Sequence, residues 1–335
     1  MTENSNHPLS ILSASEISDA VSILKKSNKE HEHSSFSYIS LNEPDKKSLK
    51  ENSNLEKIVK IVGVDKKSNG FEAEINISKK ELLTEKKISN KAGPTYTLSE
   101  IFGAIELTMG DENYQKALEK RGIKELSLVQ IDPWPGGGFV NKNIKSGNRA
   151  LRAISFLKDS EKDNAYARPI QGLIAHVDLT EKKVVEIEDH GVVKVPEASA
   201  RYDKDGQETL RESPKEIAIT QPEGVGFSVK DNLISWEGWQ LRASIDPIEG
   251  LALHQVSLND RPIFYRAGLS DMVVPYGSSD PMHWWKAVHD GTEYGFGTMT
   301  NSLTLGCDCL GEIYYLDAHK LAFDGSVETI ENAIC

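Results

Sequence analysis

No run of about 18 apolar residues occurs in the 335-residue chain, so nothing in it is built to cross a bilayer as a helix. Positive charge is not in excess either: 39 Lys and Arg face 51 Asp and Glu, a formal net charge of −12. That balance excludes a nonspecific nucleic-acid binder, which needs a basic field, and makes an anionic membrane surface a poor partner. It mildly favours a cationic small molecule such as an amine, although acidity also serves solubility alone. Cysteine is scarce, with only Cys307, Cys309 and Cys335. A disulfide scaffold is therefore ruled out, and at least one thiol stays free or intermolecular. Cys307-x-Cys309 is too tight for a zinc knuckle and is not a redox C-x-x-C. Pairing of one of the two with distant Cys335 reads better, with the remaining thiol buried. The opening MTENSNHPLS lacks the basic and apolar regions of a signal peptide, so the expected location is cytoplasmic.

A chain of this length exceeds one ordinary core and predicts two or three domains. Ser13-x-x-Glu16 is a capping box, followed by Ile17, Ala20, Val21 and Leu24 at helical spacing and by Lys25 and Lys26 at a C-terminus. Strands are predicted at 36–41, 58–64 and 71–77. In the last, Phe71, Ala73, Ile75 and Ile77 share one face, and Glu72, Glu74 and Asn76 the other. Residues 79–94 are Lys/Glu-rich and end in Gly93-Pro94, which reads as a linker. The plan then restarts: Thr97-x-x-Glu100 with Ile101, Ala104 and Ile105, a second helix over 111–121 with Tyr114, Ala117 and Leu118 in register, and strands at 126–132, 151–157, 172–178 and 183–188. Residues 8–88 and 96–190 thus read as two small α+β units, each a helical element backed by an antiparallel sheet. A polar, proline-bearing linker follows over 191–225. From 226 the pattern becomes short strands (233–236, 239–245, 250–257, 262–267, 272–275), the start of a β-sandwich. It runs to Cys335 without a closing signal, so a truncated chain is expected.

Four segments could carry chemistry. Gly136-Gly137-Gly138 lacks the Lys-Ser/Thr of a phosphate loop and reads as a flexible turn. His31-Glu32-His33 has metal-pair spacing but sits among polar residues and reads as a solvated loop. The Cys307–Cys309 stretch carries thiols at neither zinc nor redox spacing. The densest segment is 283–317, HWWKAVHDGTEYGFGTMTNSLTLGCDCLGEIYYLD, where Asp290 stands beside Trp284, Trp285, His289 and a glycine-rich turn. A carboxylate there could be a partly desolvated general base with a raised pKa. On the chemistry alone, the favoured reading is a turn aspartate capping the backbone before Gly291.

That segment resembles the copper amine oxidases. DGTEYGFG from Asp290, NSLTLGCDCLGEIYYLD from Asn301 and NAIC at 332–335 follow the family's blocks, as do WEGW at 236–239, IDPIEGLALHQV at 245–256, RPIFYRAGLSDMVVPYG at 261–277 and ARPIQGLIAHVD at 167–178. The resemblance covers nearly the whole chain. It implies two small cystatin-like α+β domains (8–88 and 96–190) and the first strands of a large β-sandwich catalytic domain (226–335). By this resemblance Asp290 falls on the catalytic base. The substrate channel falls on Val288, His289, Asp290, Gly291, Thr292, Glu293, Tyr294, Gly295, Phe296, Gly297, Thr298 and Met299, with Tyr166 from the second small domain. Val288 stands where the family often carries an aromatic gate. Cys309 and Cys335 fall on a disulfide pair that would close a loop worth about 3–4 kcal/mol in the chain-entropy model.

The implied activity is oxidation of a primary amine by dioxygen to an aldehyde, ammonia and hydrogen peroxide, in a homodimer carrying copper and a tyrosine-derived topaquinone. No nucleic acid or membrane takes part. The cofactor's N-Y-D/E motif and the copper-binding H-x-H set are not found in their places. Asn113-Tyr114-Gln115 lacks the acidic residue, and His31 and His33 lie in the wrong domain. The expectation is therefore an amine oxidase whose residues here retain the base but not the metal or cofactor sites. The alternative is a non-catalytic remnant that folds or binds.

Overall fold

A computed structural model describes residues 7–51, 55–89, 92–198 and 201–335. Compactness divides the chain into two units. The first holds residues 1–97, 216–272 and 289–335, and the second holds 98–215 and 273–288. The region expected as the first small domain and most of the β-rich end thus share one unit.

In the first unit, α1 (Ala14–Ser27) begins at the expected capping box, with Ser13 and Glu16 satisfying each other's backbone N–H groups. Its buried residues are Ile17, Ala20, Val21 and Leu24, as the spacing predicts. They pack on a meander of β1 (Ser35–Leu41), β2 (Ile58–Val64), β3 (Gly70–Asn76) and β4 (Glu81–Lys87), with a short α2 (Lys46–Glu51) between β1 and β2. Phe71, Ala73 and Ile75 reach the core in strict alternation, but Asn76 is buried too. Its amide donates to Glu56 at 2.6 Å and its oxygen accepts from Lys79 N–H at 2.9 Å, which satisfies the buried polar group.

Two expectations are corrected here. Residues 79–94 contain β4, not only a linker; residues 90 and 91 lie outside the described set. The strand is exposed along most of its length, so its Lys and Glu pattern tracks solvent while its backbone pairs with β3. His31 is not in a solvated loop. It is 2% exposed in a 3-10 turn, with Nδ1 at 3.1 Å from Ser34 and Nε2 at 3.1 Å from Glu85, and its ring lies 4.3 Å from that of Phe71.

The second unit contains α3 (Leu98–Gly110), α4 (Glu112–Lys120) and a second four-stranded meander: β5 (Val129–Pro135), β6 (Ala150–Leu157), β7 (Leu173–Asp178) and β8 (Lys183–Asp189). Residues 126–128, expected as strand, form a 3-10 turn instead. The pleat splits the sheet's faces. Ile131, Ala153 and Ala175 pack with Tyr114, Ala117 and Leu118 of α4. On the other face Ile154 and Ile174 pack with Trp134, Met282 and Trp285.

Back in the first unit, β9 (Phe227–Lys230), β10 (Leu233–Trp236), β11 (Trp239–Asp246), β12 (Gly250–Leu258) and β13 (Arg261–Ala267) form a five-stranded antiparallel sheet. The β14–β15 hairpin (Leu316–Leu321, Val327–Ile334) packs Ala318, Ile330 and Ala333 around Ile245 of β11. The strand expected at 272–275 does not form; only one bridge residue occurs there. The whole is a mixed α+β fold of several small sheets with few helices. Among the described residues no helix is long and apolar enough to cross a membrane.

Candidate active site

The β11–β12 turn is the platform. Asp246 Oδ1 accepts from Ile248 N–H and Glu249 N–H at 2.9 Å each, and Gly250 (φ +75°) closes the turn. Residues 295–299 lie on it: Phe296 N–H donates to Ile248 O at 3.0 Å, and Thr298 N–H to Pro247 O at 3.0 Å. A Cβ at Gly297 would strike the Asp246 carbonyl, which is why backbone can meet backbone only with glycine there.

On this platform Asp290–Tyr294 form one π-helical turn, closed by Gly295 N–H to Asp290 O at 3.0 Å. The turn is pinned on each side. Asp290 N–H donates to Met272 O at 2.8 Å, and Tyr96 N–H to Glu293 O at 2.9 Å. Thr95 Oγ1 donates to Thr292 O at 3.0 Å. Glu293 accepts His289 N–H at 2.8 Å. Asp271 accepts from Gly291 N–H at 2.9 Å and from Thr292 Oγ1 at 2.9 Å, and lies 3.1 Å from the His289 ring nitrogen Nδ1.

Asp290 itself is half-buried, and its carboxylate accepts no hydrogen bond among the described residues. Burial, then the neighbouring charge of Asp271, pushes its carboxyl above the ordinary aspartate value, against a smaller opposing effect of His289. Glu293 is raised as well, first by burial. The turn therefore presents a fixed backbone, a carboxylate with free lone pairs and an elevated proton affinity, which is the equipment of a proton acceptor.

The other expected site residues are distributed as follows. Gly291, Gly295 and Gly297 are buried, Glu293, Tyr294, Phe296 and Thr298 are half-buried, and His289, Thr292 and Met299 are exposed. Val288 and Tyr166 belong to the second unit. Val288 is buried there; Tyr166 is exposed, edge-on to Phe156 with ring centroids 4.9 Å apart, and its hydroxyl is 3.5 Å from Asp132. Cys309 and Cys335 are not bonded to each other, and all three cysteines are free. Cys307, expected to be buried, is exposed, because it lies in a surface turn where its N–H bonds Thr304 O at 3.1 Å.

Two residues were not read as site components. Asp271 lies inside the 261–277 block but shows no signal of its own. Lys286 lies between Trp285 and His289 in the densest segment. It is 4% exposed, with Nζ 4.4 Å from the Trp134 ring centroid, 5.0 Å from that of Tyr276 and 5.9 Å from that of Trp285. Arg152 of β6 lies 4.8 Å over the Trp285 ring.

Family comparison agrees along the chain. Models of the copper amine oxidase enzyme domain, N3 domain and N2 domain match residues 228–335, 100–206 and 7–56. The primary amine oxidase of Arthrobacter sp. (strain P1) is 39% identical over 335 residues, 98% of this chain and 51% of its own length. The histamine oxidase of Arthrobacter globiformis is 36% identical over 338 residues, 98% of this chain and 49% of its own length. The solved copper-containing benzylamine oxidase from Hansenula polymorpha shares the fold, with TM-score 0.84 and 24% identity over 97% of this chain and 54% of that one. This chain belongs to the copper amine oxidase family. It spans about half the length of the curated relatives it matches.

Among the described residues, no group of three or more His, Cys, Asp or Glu could hold a metal ion. The tyrosine of the one Asn-Tyr dipeptide, Tyr114, is a core residue: its hydroxyl bonds Ser155 at 2.5 Å, and burial pushes its pKa up to about 12.

Proposed function

We propose that this chain serves the oxidative deamination of a primary amine, in which amine, dioxygen and water give an aldehyde, ammonia and hydrogen peroxide, and that Asp290 is the proton-accepting base. The observation that carries this reading is the Asp290 carboxylate, free of hydrogen bonds among the described residues on a turn whose neighbours are tied down. An aspartate serving only as a turn cap would spend its oxygens on backbone N–H groups. Asp271 does so, and Asp290 does not.

Under this reading Asp290 takes the proton released from the amine-bearing carbon. A carboxyl raised by burial holds that proton better than an ordinary aspartate would, which suits work nearer neutral pH. The segment Val288–Met299 and Tyr166 would line the path of the amine. Copper and topaquinone belong to the family reading, and this chain's part in it is the proton-accepting carboxylate. Pairing of Cys309 with Cys335 as a disulfide, and assembly as a homodimer, are part of the same proposal. So are modules at 8–88, 96–190 and 226–335 joined by 191–225.

The test is Asp290→Asn in the full-length enzyme. Removing a positioned base predicts a fall of about 10²–10⁴-fold in turnover with the protein still folded. Turnover equal to wild type would remove the assignment.

A further inference from the structure

We infer that Asp271 is the positioning residue of the Asp290 base: its carboxylate gathers the residues on either side of Asp290 and leaves the Asp290 carboxylate without a hydrogen bond among the described residues. This rests on the reading of Asp290 as the base. Four groups converge on Asp271. Met272 N–H at 2.8 Å and Gly291 N–H at 2.9 Å donate to Oδ1. Thr292 Oγ1 donates at 2.9 Å to Oδ2, and the His289 ring nitrogen Nδ1 lies 3.1 Å from the same oxygen. A carboxylate offers about four lone-pair sites, so this one is fully used.

The pattern of donors is selective. His289, Gly291 and Thr292 all meet Asp271, and the residue between them does not. The Asp290 backbone is still fixed, through its N–H on Met272 O at 2.8 Å. Its side chain therefore projects from a clamped frame without being consumed by it. Gly291 belongs to the device, because a Cβ there would come within 2.9 Å of Asp271 Oδ1. The contact that replaces that Cβ is the hydrogen bond itself.

The charges point the same way. Burial pushes the Asp271 carboxyl up, but the hydrogen bonds from Thr292, Met272, Gly291 and His289 outweigh it and hold it below the ordinary value. Asp271 is thus kept ionised, and its fixed negative charge adds to burial in raising Asp290. Glu293 and His289 are the other titratable groups of the turn. Glu293 is itself raised by burial, and His289 opposes the shift of Asp290. One residue therefore does two things for the base: it sets the turn and it lifts the proton affinity.

The 335-residue chain, carrying ¹³C at its aspartate carboxyls, tests this without turnover, with the Asp290 signal identified by its loss in Asp290→Asn. In Asp271→Asn the Asp290 midpoint should move down towards the ordinary aspartate value, and Gly291 N–H should exchange faster. Asp271→Glu, which keeps the charge, should leave Asp290 raised. Asp260→Asn, a turn aspartate outside the network, should change neither readout. An unchanged Asp290 midpoint in folded Asp271→Asn overturns the inference, and so does a midpoint that falls equally in Asp271→Glu. If Asp271→Asn does not fold, wild-type Gly291 decides: exchange as fast as in an unstructured chain is incompatible with the clamp. Failure of these tests removes Asp271 and leaves the base standing. Turnover surviving in Asp290→Asn removes the base and leaves the clamp standing.

Discussion

Asp290 and Lys286 lie close together in the chain, and neither has an ion-pair partner among the described residues. Their surroundings differ. Asp290 is half-buried on a turn crowded with acid, where Asp271 and Glu293 are its neighbours and the donors go to them. Lys286 is fully buried, and its ammonium faces Trp134, Tyr276 and Trp285. Burial pushes the carboxyl up and the ammonium down, in each case towards the neutral form. Asp290 keeps part of its surface open to solvent. At Lys286 the rings replace part of the lost hydration by cation–π attraction, and the result is a tether for the 276–286 loop, whose ends meet through Tyr276 N–H and Lys286 O at 3.1 Å. The half-buried carboxylate is left without an ion-pair partner among the described residues, whereas the ammonium is enclosed by rings.

The comparison breaks most visibly at the enclosing ring. Trp134→Ala opens the cage and the Ile154–Ile174–Trp285 cluster together, with an expected loss of about 3–5 kcal/mol in urea unfolding, whereas Asp290→Asn should cost almost nothing. Comparable losses from the two changes would show that the turn, too, is held by its acid. A smaller effect belongs to Gly291→Ala, at about 1–3 kcal/mol, because the methyl must displace the Asp271 oxygen. A loss near zero would mean that the clamp yields freely.

Much of this was legible in residue order. The capping box and spacing of α1 specify both its ends and its buried face, because helix termini and amphipathic period are local properties. The β3 alternation is equally local. β4 was missed because an exposed strand carries no apolar signal and exists through its pairing with β3. Residues 272–275 read as strand from their valines, yet among the described residues only a single bridge forms there. At the site, Asp290 was visible through its family block and its aromatic and glycine neighbours. Its unbound carboxylate was not, since that depends on Asp271, which sits in a different block. The cage was invisible for the same reason: Trp134 and Lys286 are far apart in sequence and meet only once the β5–β6 face has formed.

The two shifts also have opposite linkage signs. Between the ordinary aspartate value of 3.8 and the raised value of Asp290, the folded chain binds more protons than the unfolded one, so this group's contribution to stability falls as pH rises. Between the lowered value of Lys286 and the ordinary lysine value of 10.5, the unfolded chain binds more protons, so stability gains as pH rises. The most direct measurement is a ¹³C titration of both side chains in one sample of the wild-type chain. The account predicts an Asp290 midpoint above 3.8 and a Lys286 midpoint below 10.5. An Asp290 that titrates at or below the ordinary value would contradict it, because the turn would then hold an ordinary surface carboxylate and not a base prepared by its surroundings.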